Sequence, residues 1–164
     1  TQFVNQYAVM RFKVILPIFF LIISFSTDAY CAEGNLQWVE YSKAFQVAKE
    51  KDKPVLLYFY RDGCPYCKIL SEQYFTDRDI GRMMKEGFVL TKLDGTMNKD
   101  IALEFGVSGV PTVWLLSKTG ERILKIPGLA DMTEFKDLLD YAGKGWYKKM
   151  DVRTYPKRKV KNEL

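Results

Sequence analysis

The sequence predicts an α/β domain over residues 36–143, with a central mixed sheet flanked by helices. Three observations carry this. Short apolar runs bounded by breakers recur at 54–60, 88–94 and 112–116, with the length of strands. Stretches with apolar residues at helical spacing lie between them. A "SKTG" turn joins the third run to a fourth, "ERILKIP", as an antiparallel hairpin. The 164-residue chain is 48% apolar and 15% aromatic, which suits one core and excludes a disordered chain.

Each element has its own signature. In "WVEYSKAFQVAKEKDKP", residues 41, 44, 45 and 48 form the stripe of an amphipathic helix. Ser42 or a neighbour can cap it, and Pro54 ends any continuation. "PVLLYFY" (54–60) is apolar throughout, as a strand buried on both faces is. "KILSEQYF" follows as a helix. "TDRDIGRMMKEG" opens with Thr76 and Asp79 at capping-box spacing, and Ile80, Met83 and Met84 supply its apolar face. "FVLTKLD" alternates as a strand. "NKDIALEFG" is a short helix capped by Asn98 and stopped by Gly106, and "TVWLL" is the next strand. In "TEFKDLLDYAG", Phe135, Leu138, Leu139 and Ala142 share one face, and Gly143 stops the helix. Strands separated by helices imply parallel pairing through right-handed crossovers, with an antiparallel edge from the hairpin.

The first thirty or so residues read as an address. From Met10, Arg11 and Lys13 form a basic region, 14–25 an apolar one, and Ser26, Thr27 and Ala29 a small-residue region. This is the plan of a secretory signal peptide, with cleavage after Ala29 or Cys31. The apolar region is shorter than the roughly 20 residues that span a bilayer. An uncleaved anchor is the alternative. Residues 1–9 read as sequence upstream of the start, so 1–31 is assigned to the signal peptide and what precedes it. Asp28 and Tyr30 occupy the positions where a bacterial lipobox needs Leu and a small residue, which argues against lipidation of Cys31. Export puts thiols in an oxidising or actively managed compartment.

The chain has three cysteines and no histidine. That excludes a Cys/His catalytic pair and every zinc site needing imidazole. Cys64 and Cys67 lie in "RDGCPYCK", directly after the apolar run, where a strand gives way to a helix. A helix N-terminus carries unpaired N–H groups and about half a positive charge, both of which favour a thiolate. Pro65 falls at the first helical position, where its missing N–H costs nothing. Cys67 is one turn on, within reach of Cys64, so it can release a mixed disulfide formed there. Cys64 is thus the attacking thiol and Cys67 the resolving one. Three blander readings stand beside this. Zinc usually needs four ligands. A static disulfide would close a very short loop and remove little chain entropy. Two inert core cysteines would not need Asp62-Gly63 before them and Pro65 between them.

Two motifs together carry a family resemblance. The Cys-x-x-Cys follows "VLLYFY", and "GVSGVPT" (106–112) lies at the right separation from it; Gly128 follows past the hairpin. The chain resembles the thioredoxin superfamily over about 110 residues, and the fold implied is thioredoxin-like. By that resemblance Pro111 follows a cis bond beside the thiols, and Val110 offers its backbone to a bound substrate chain. Pro65 and Tyr66 join them as substrate-facing residues. The pattern "W…YSKAFQVAKEKDKPVLLYF" with "FTDRDIGRMM" is similar to the exported branch, including the C-terminal domain of the membrane thiol–disulfide interchange protein. The activity implied is thiol–disulfide oxidoreduction, as a reductase or interchange protein, on protein thiols and disulfides, with an upstream redox partner and no cofactor. The chain is expected to act as a monomer, in the periplasm or outside the cell, and to bind no nucleic acid.

There are departures. The family's buried Asp, six residues before the first cysteine, is Tyr58 here. Its proton-shuttling role falls open to a Tyr, a water or another carboxylate, with Glu72 and Asp94 as weak candidates. The Trp before the first cysteine is Gly63, which opens the surface around Cys64. Tyr58 and Tyr60 read first as core. Residues 144–164 form a basic tail with Lys148, Lys149, Arg153, Lys157, Arg158, Lys159 and Lys161. It reads as a solvated end, or as a peripheral contact with anionic lipid. The terminal "KNEL" resembles a reticulum retention signal, which makes the endoplasmic reticulum lumen the alternative location. The alternative functions are a thioredoxin-fold binding or chaperone module and a copper(I)-handling protein.

Overall fold

The computed structural model describes residues 36–155. The expected signal peptide with Cys31, and the end of the chain with "KNEL", lie outside the described residues.

β1 (Val55–Tyr60) and β3 (Thr112–Leu116) form the middle of a four-stranded sheet ordered β2-β1-β3-β4. β1 runs parallel to β2 (Val89–Asp94), with Val55 opposite Val89. It runs antiparallel to β3, with Phe59 opposite Thr112. β4 (Arg122–Pro127) closes the hairpin antiparallel to β3. The mixed sheet matches the sequence expectation. The rule that helix-separated strands pair in parallel fails at β3. The helix before it, α4 (Lys99–Glu104), has six residues and covers about 9 Å. A strand of six residues is about 20 Å long. The connection over residues 95–111 is long enough to cross that distance, but the chain does not return along the sheet, and β3 begins at the end where β2 stopped.

Residue alternation along β1 divides the core. Val55, Leu57 and Phe59 point to one face, where Ala44 and Ala48 of α1 (Tyr41–Lys51), Ala102 and Phe105 meet them. Two fully buried alanines let α1 lie close on the sheet. Leu56 and Tyr58 point to the other face, against Leu70, Phe75, Ile80, Met84, Phe135 and Leu139. Leu70 opens the π-helical turn (Leu70–Tyr74) that continues α2 (Pro65–Ile69), and Phe75 follows it; Ile80 and Met84 belong to α3 (Arg78–Gly87), and Phe135 and Leu139 to α5 (Met132–Gly143). β1 is therefore buried on both faces, as its unbroken apolar run requires. β2 does not alternate: Val89, Leu90 and Thr91 are buried in succession. Its outer edge is covered, since Trp38 bridges Leu90 and the Val39 N–H donates to the Leu90 carbonyl at 2.7 Å.

Four helix ends differ from expectation. Glu40, not Ser42, stands ahead of α1, and no side chain caps it. Asp77, not Thr76, caps α3, accepting from the N–H groups of Asp79 and Ile80 at 3.2 and 3.0 Å. Thr76 instead donates to the Glu72 carbonyl. Asn98 sits ahead of α4 without a side-chain cap and donates to the Asp94 carbonyl. Gly143 is still helical, and the left-handed residue beyond α5 is Gly145, with φ 69°. Gly143 serves packing: a Cβ there would meet the Phe88 ring at 3.2 Å.

After α5, residues 146–148 and 152–154 form two 3-10 turns that fold back on it. Tyr141 donates to the Met150 carbonyl at 2.7 Å, Tyr155 donates to Asp140, and the two rings pack edge to face. Tyr155 is buried. Among the described residues, no helix is long and apolar enough to cross a membrane.

Candidate active site

β1 ends at Tyr60, and Gly63 turns the chain at φ 73° into Cys64. Nothing lies within 4 Å of the position a Gly63 Cβ would take, so the surface there is open. Cys64 is extended at the N-cap of α2, with Pro65 in the first helical turn. Its Sγ accepts the Cys67 backbone N–H at 3.2 Å. This is the capping role of serine or aspartate, performed by sulfur. A helix tip holds an acceptor best when the acceptor is anionic.

The two thiols are buried and free, and their environments push them apart. Burial works against ionisation of Cys64. Hydrogen bonds from the Cys67 side chain and from the Cys67 and Tyr66 backbones outweigh it, with help from the Arg61 charge, and hold Cys64 below the ordinary thiol range. Burial, then the bond to Cys64, pushes Cys67 up. The site thus shifts the two thiols in opposite senses, Cys64 towards the thiolate and Cys67 towards the thiol.

The second motif meets the first across the sheet end. The Val110–Pro111 bond is cis, and the Cys64 thiol donates to the Val110 carbonyl at 3.6 Å. Thr112 ties this loop to the Gly109 carbonyl at 2.7 Å. Gly128, at φ 70°, donates its N–H to the Pro111 carbonyl at 2.8 Å, so the far end of β4 also braces the loop. Tyr66 is 62% exposed beside Cys64. All six sequence-predicted site residues, Cys64, Pro65, Tyr66, Cys67, Val110 and Pro111, come from these two adjoining segments.

The suggested carboxylates do different work. Glu72 pairs with Lys68 in solvent. Asp94 accepts from the Thr96 hydroxyl and N–H and from the Met97 N–H, all on one oxygen. Those bonds hold its carboxyl below the ordinary range. What lies against Cys67 is Tyr58, whose hydroxyl donates to the Cys67 carbonyl at 3.3 Å. Tyr58 is also core, packed on Trp38 and Phe75. Arg61 was not singled out from the sequence. Its place directly before the motif was the available clue, since a cation near a thiol favours the thiolate. Among the described residues, no group of three or more Cys, Asp or Glu is placed to hold a metal ion.

A buried dithiol at a strand-to-helix junction, facing a cis-proline loop, defines a thioredoxin-fold dithiol protein. The thioredoxin-like domain family matches residues 41–143, and the chain belongs to it. Over 108 residues, or 65% of its length, the chain is 28% identical to the protein disulfide-isomerase of Gallus gallus, of which the match covers 21%. It is 32% identical over 72 residues, 44% of the chain, to protein disulfide isomerase-like 2-2 of Oryza sativa, of which the match covers 19%. The chain therefore spans about a fifth of these curated relatives. Among solved structures, a thioredoxin-fold protein from Helicobacter pylori superposes with TM-score 0.58 at 25% identity, covering 68% of this chain and 82% of that one.

Proposed function

We propose that the chain is an exported thiol–disulfide oxidoreductase acting on protein substrates as a reductase or interchange protein. The observation that carries this is the Cys64 sulfur capping α2, 3.2 Å from the Cys67 N–H, with the Cys67 thiol beside it. The Cys64 thiolate attacks one sulfur of a client disulfide, and the other client sulfur leaves with the bonding pair. Cys67 then attacks Cys64, the mixed disulfide breaks, and the client leaves as a dithiol while the protein holds a Cys64–Cys67 bond. An upstream dithiol donor must reduce that bond before the next cycle. Val110 and Pro111 border the path of the incoming chain, and exposed Tyr66 offers it an aromatic contact. The relatives named as disulfide isomerases support this reading.

The periplasm is the proposed location, on the strength of the leader pattern at 10–31. The basic residues after α5 suit a peripheral contact with anionic lipid. Lys148 and Lys118 both lie close enough to act on the Asp52 carboxylate, so this contact would sit at the sheet end remote from the thiols.

Reduction of insulin by dithiothreitol, followed by turbidity, tests the activity. Wild type accelerates precipitation, and Cys64→Ser does not. Equal rates for the two proteins would end the enzyme reading. The reduction potential gives direction: a value near about −270 mV indicates a reductase and one near about −120 mV an oxidant.

A further inference from the structure

A buried phenol, rather than a carboxylate, stands beside the resolving cysteine. Tyr58 is 4% exposed. Its ring is boxed by Trp38 at 6.2 Å, Tyr60 at 5.7 Å and Phe75 at 5.3 Å edge-on, so it has one orientation. Its hydroxyl donates to the Cys67 carbonyl at 3.3 Å. The same hydroxyl favours the ionised Cys67 sulfur, against burial and the bond to Cys64, which push that thiol up. Burial, then the Cys67 charge, keeps the phenol protonated far above neutral pH. The other titratable groups facing Tyr58 are Cys64, Tyr60 and Lys92. Lys92 is its register neighbour on β2, with its ammonium over the Trp38 and Tyr60 rings at 5.5 Å each.

We infer that Tyr58 is a positioning residue for the second half-reaction: its hydroxyl turns from the Cys67 carbonyl, 3.3 Å away, to donate to the Cys67 sulfur as that sulfur becomes anionic. The inference rests on the oxidoreductase reading of the same site. In the mixed disulfide, Cys67 Sγ attacks Cys64 Sγ and the bond from Cys64 to the client breaks. The client sulfur leaves with the electron pair and takes up a proton equivalent to the one Cys67 releases. The protein dithiol loses two electrons and the client disulfide gains two. Tyr58 keeps its own proton throughout. A carboxylate in this place could take the Cys67 proton itself; a phenol that is already protonated cannot, and acts only as a donor. A phenol that stays protonated stabilises the anion at every working pH, because a donor to a charged group is worth more than one to a neutral group.

A chromogenic aromatic disulfide separates the two steps. Cys64 releases the first coloured thiolate, and Cys67 releases the second. Tyr58→Phe keeps the ring and removes only the donor. The first phase is expected to stay within about twofold, whereas the second slows roughly tenfold at neutral pH, as for one lost hydrogen bond to an anion. The pH midpoint of that second phase moves up. Ring-fluorinated tyrosine placed at position 58 keeps the packing and makes a stronger donor, so it moves the midpoint down; this arm decides the matter if Tyr58→Phe fails to fold. A second phase with the same rate and midpoint in wild type and in whichever variant folds would overturn the role of Tyr58. Absence of a second release from wild type would instead remove the oxidoreductase reading itself.

Discussion

Replacing Asp77 with alanine removes three contacts that hold α3. Its Oδ1 accepts from the second and third N–H groups of the helix, at 3.2 and 3.0 Å. The same oxygen lies 3.0 Å from the Lys136 ammonium, which reaches across from α5. The neighbouring Thr76 is engaged with Glu72 and offers no substitute cap. The third residue of the helix is Ile80, fully buried, so fraying here exposes core. Loss of such a cap costs about 1–2 kcal/mol. With a urea slope of about 1.5 kcal/mol/M, the midpoint falls by about 1 M with the slope unchanged. Asp77→Asn separates the contacts, since asparagine caps as well as aspartate but carries no charge, and most of the loss is recovered. The carboxyl is held below its ordinary range, first by the Ile80 N–H and then by Lys136. A depressed pKa adds stability above the unfolded value of about 3.9 and loses it as pH falls through the folded value. The gap between wild type and Asp77→Asn is therefore flat near neutrality and closes below about pH 4. Urea unfolding of the three proteins at pH 7 and pH 3 checks this. An Asp77→Ala midpoint within error of wild type at pH 7 would refute the capping assignment.

Other outcomes follow from packing. Phe59, fully buried against Phe105 at 5.9 Å, leaves a cavity when cut to alanine, and Phe59→Ala costs about 3–5 kcal/mol in denaturant unfolding. The helix-end glycines of α3 and α5 respond oppositely to alanine. Gly87→Ala makes only an ordinary contact, at 3.9 Å, and stabilises by about 0.5–1 kcal/mol. Gly143→Ala drives a methyl to 3.2 Å from the buried Phe88 ring, where an overpacking cost of about 1–3 kcal/mol exceeds the gain in helix propensity of about 1 kcal/mol. Thermal melts of both variants check the signs. Tyr66→Ala lowers kcat/KM for a protein disulfide while sparing a small aromatic disulfide, because the exposed ring contacts only a large substrate.

What was legible in the sequence was local. The third strand runs over Thr112–Leu116 as its apolar run indicates, and Cys64 takes the N-cap that Pro65 implies. Both follow from chemistry within a few residues. The direction of β3 was not legible in that way. It depends on the path the 95–111 connection takes, and strand pattern does not encode that. The role of Gly143 depends on Phe88, more than fifty residues away, which spacing alone does not place. The cap differs by one residue, because Thr76 and Asp77 can both cap and Thr76 is taken up by the Glu72 carbonyl. Tyr58 read as core, and it is core. That its hydroxyl also meets the Cys67 carbonyl follows from α2 lying over β1, which one-dimensional pattern does not place.

The rate at which iodoacetamide labels Cys64 in the reduced protein, followed by mass spectrometry across pH, bears most directly on the site. If the tip of α2 holds the sulfur as an anion, labelling half-saturates below the value of about 8.5 for a free cysteine, with Cys67 reacting far more slowly. A midpoint at or above that value would mean that the hydrogen bonds at Cys64 do not outweigh its burial.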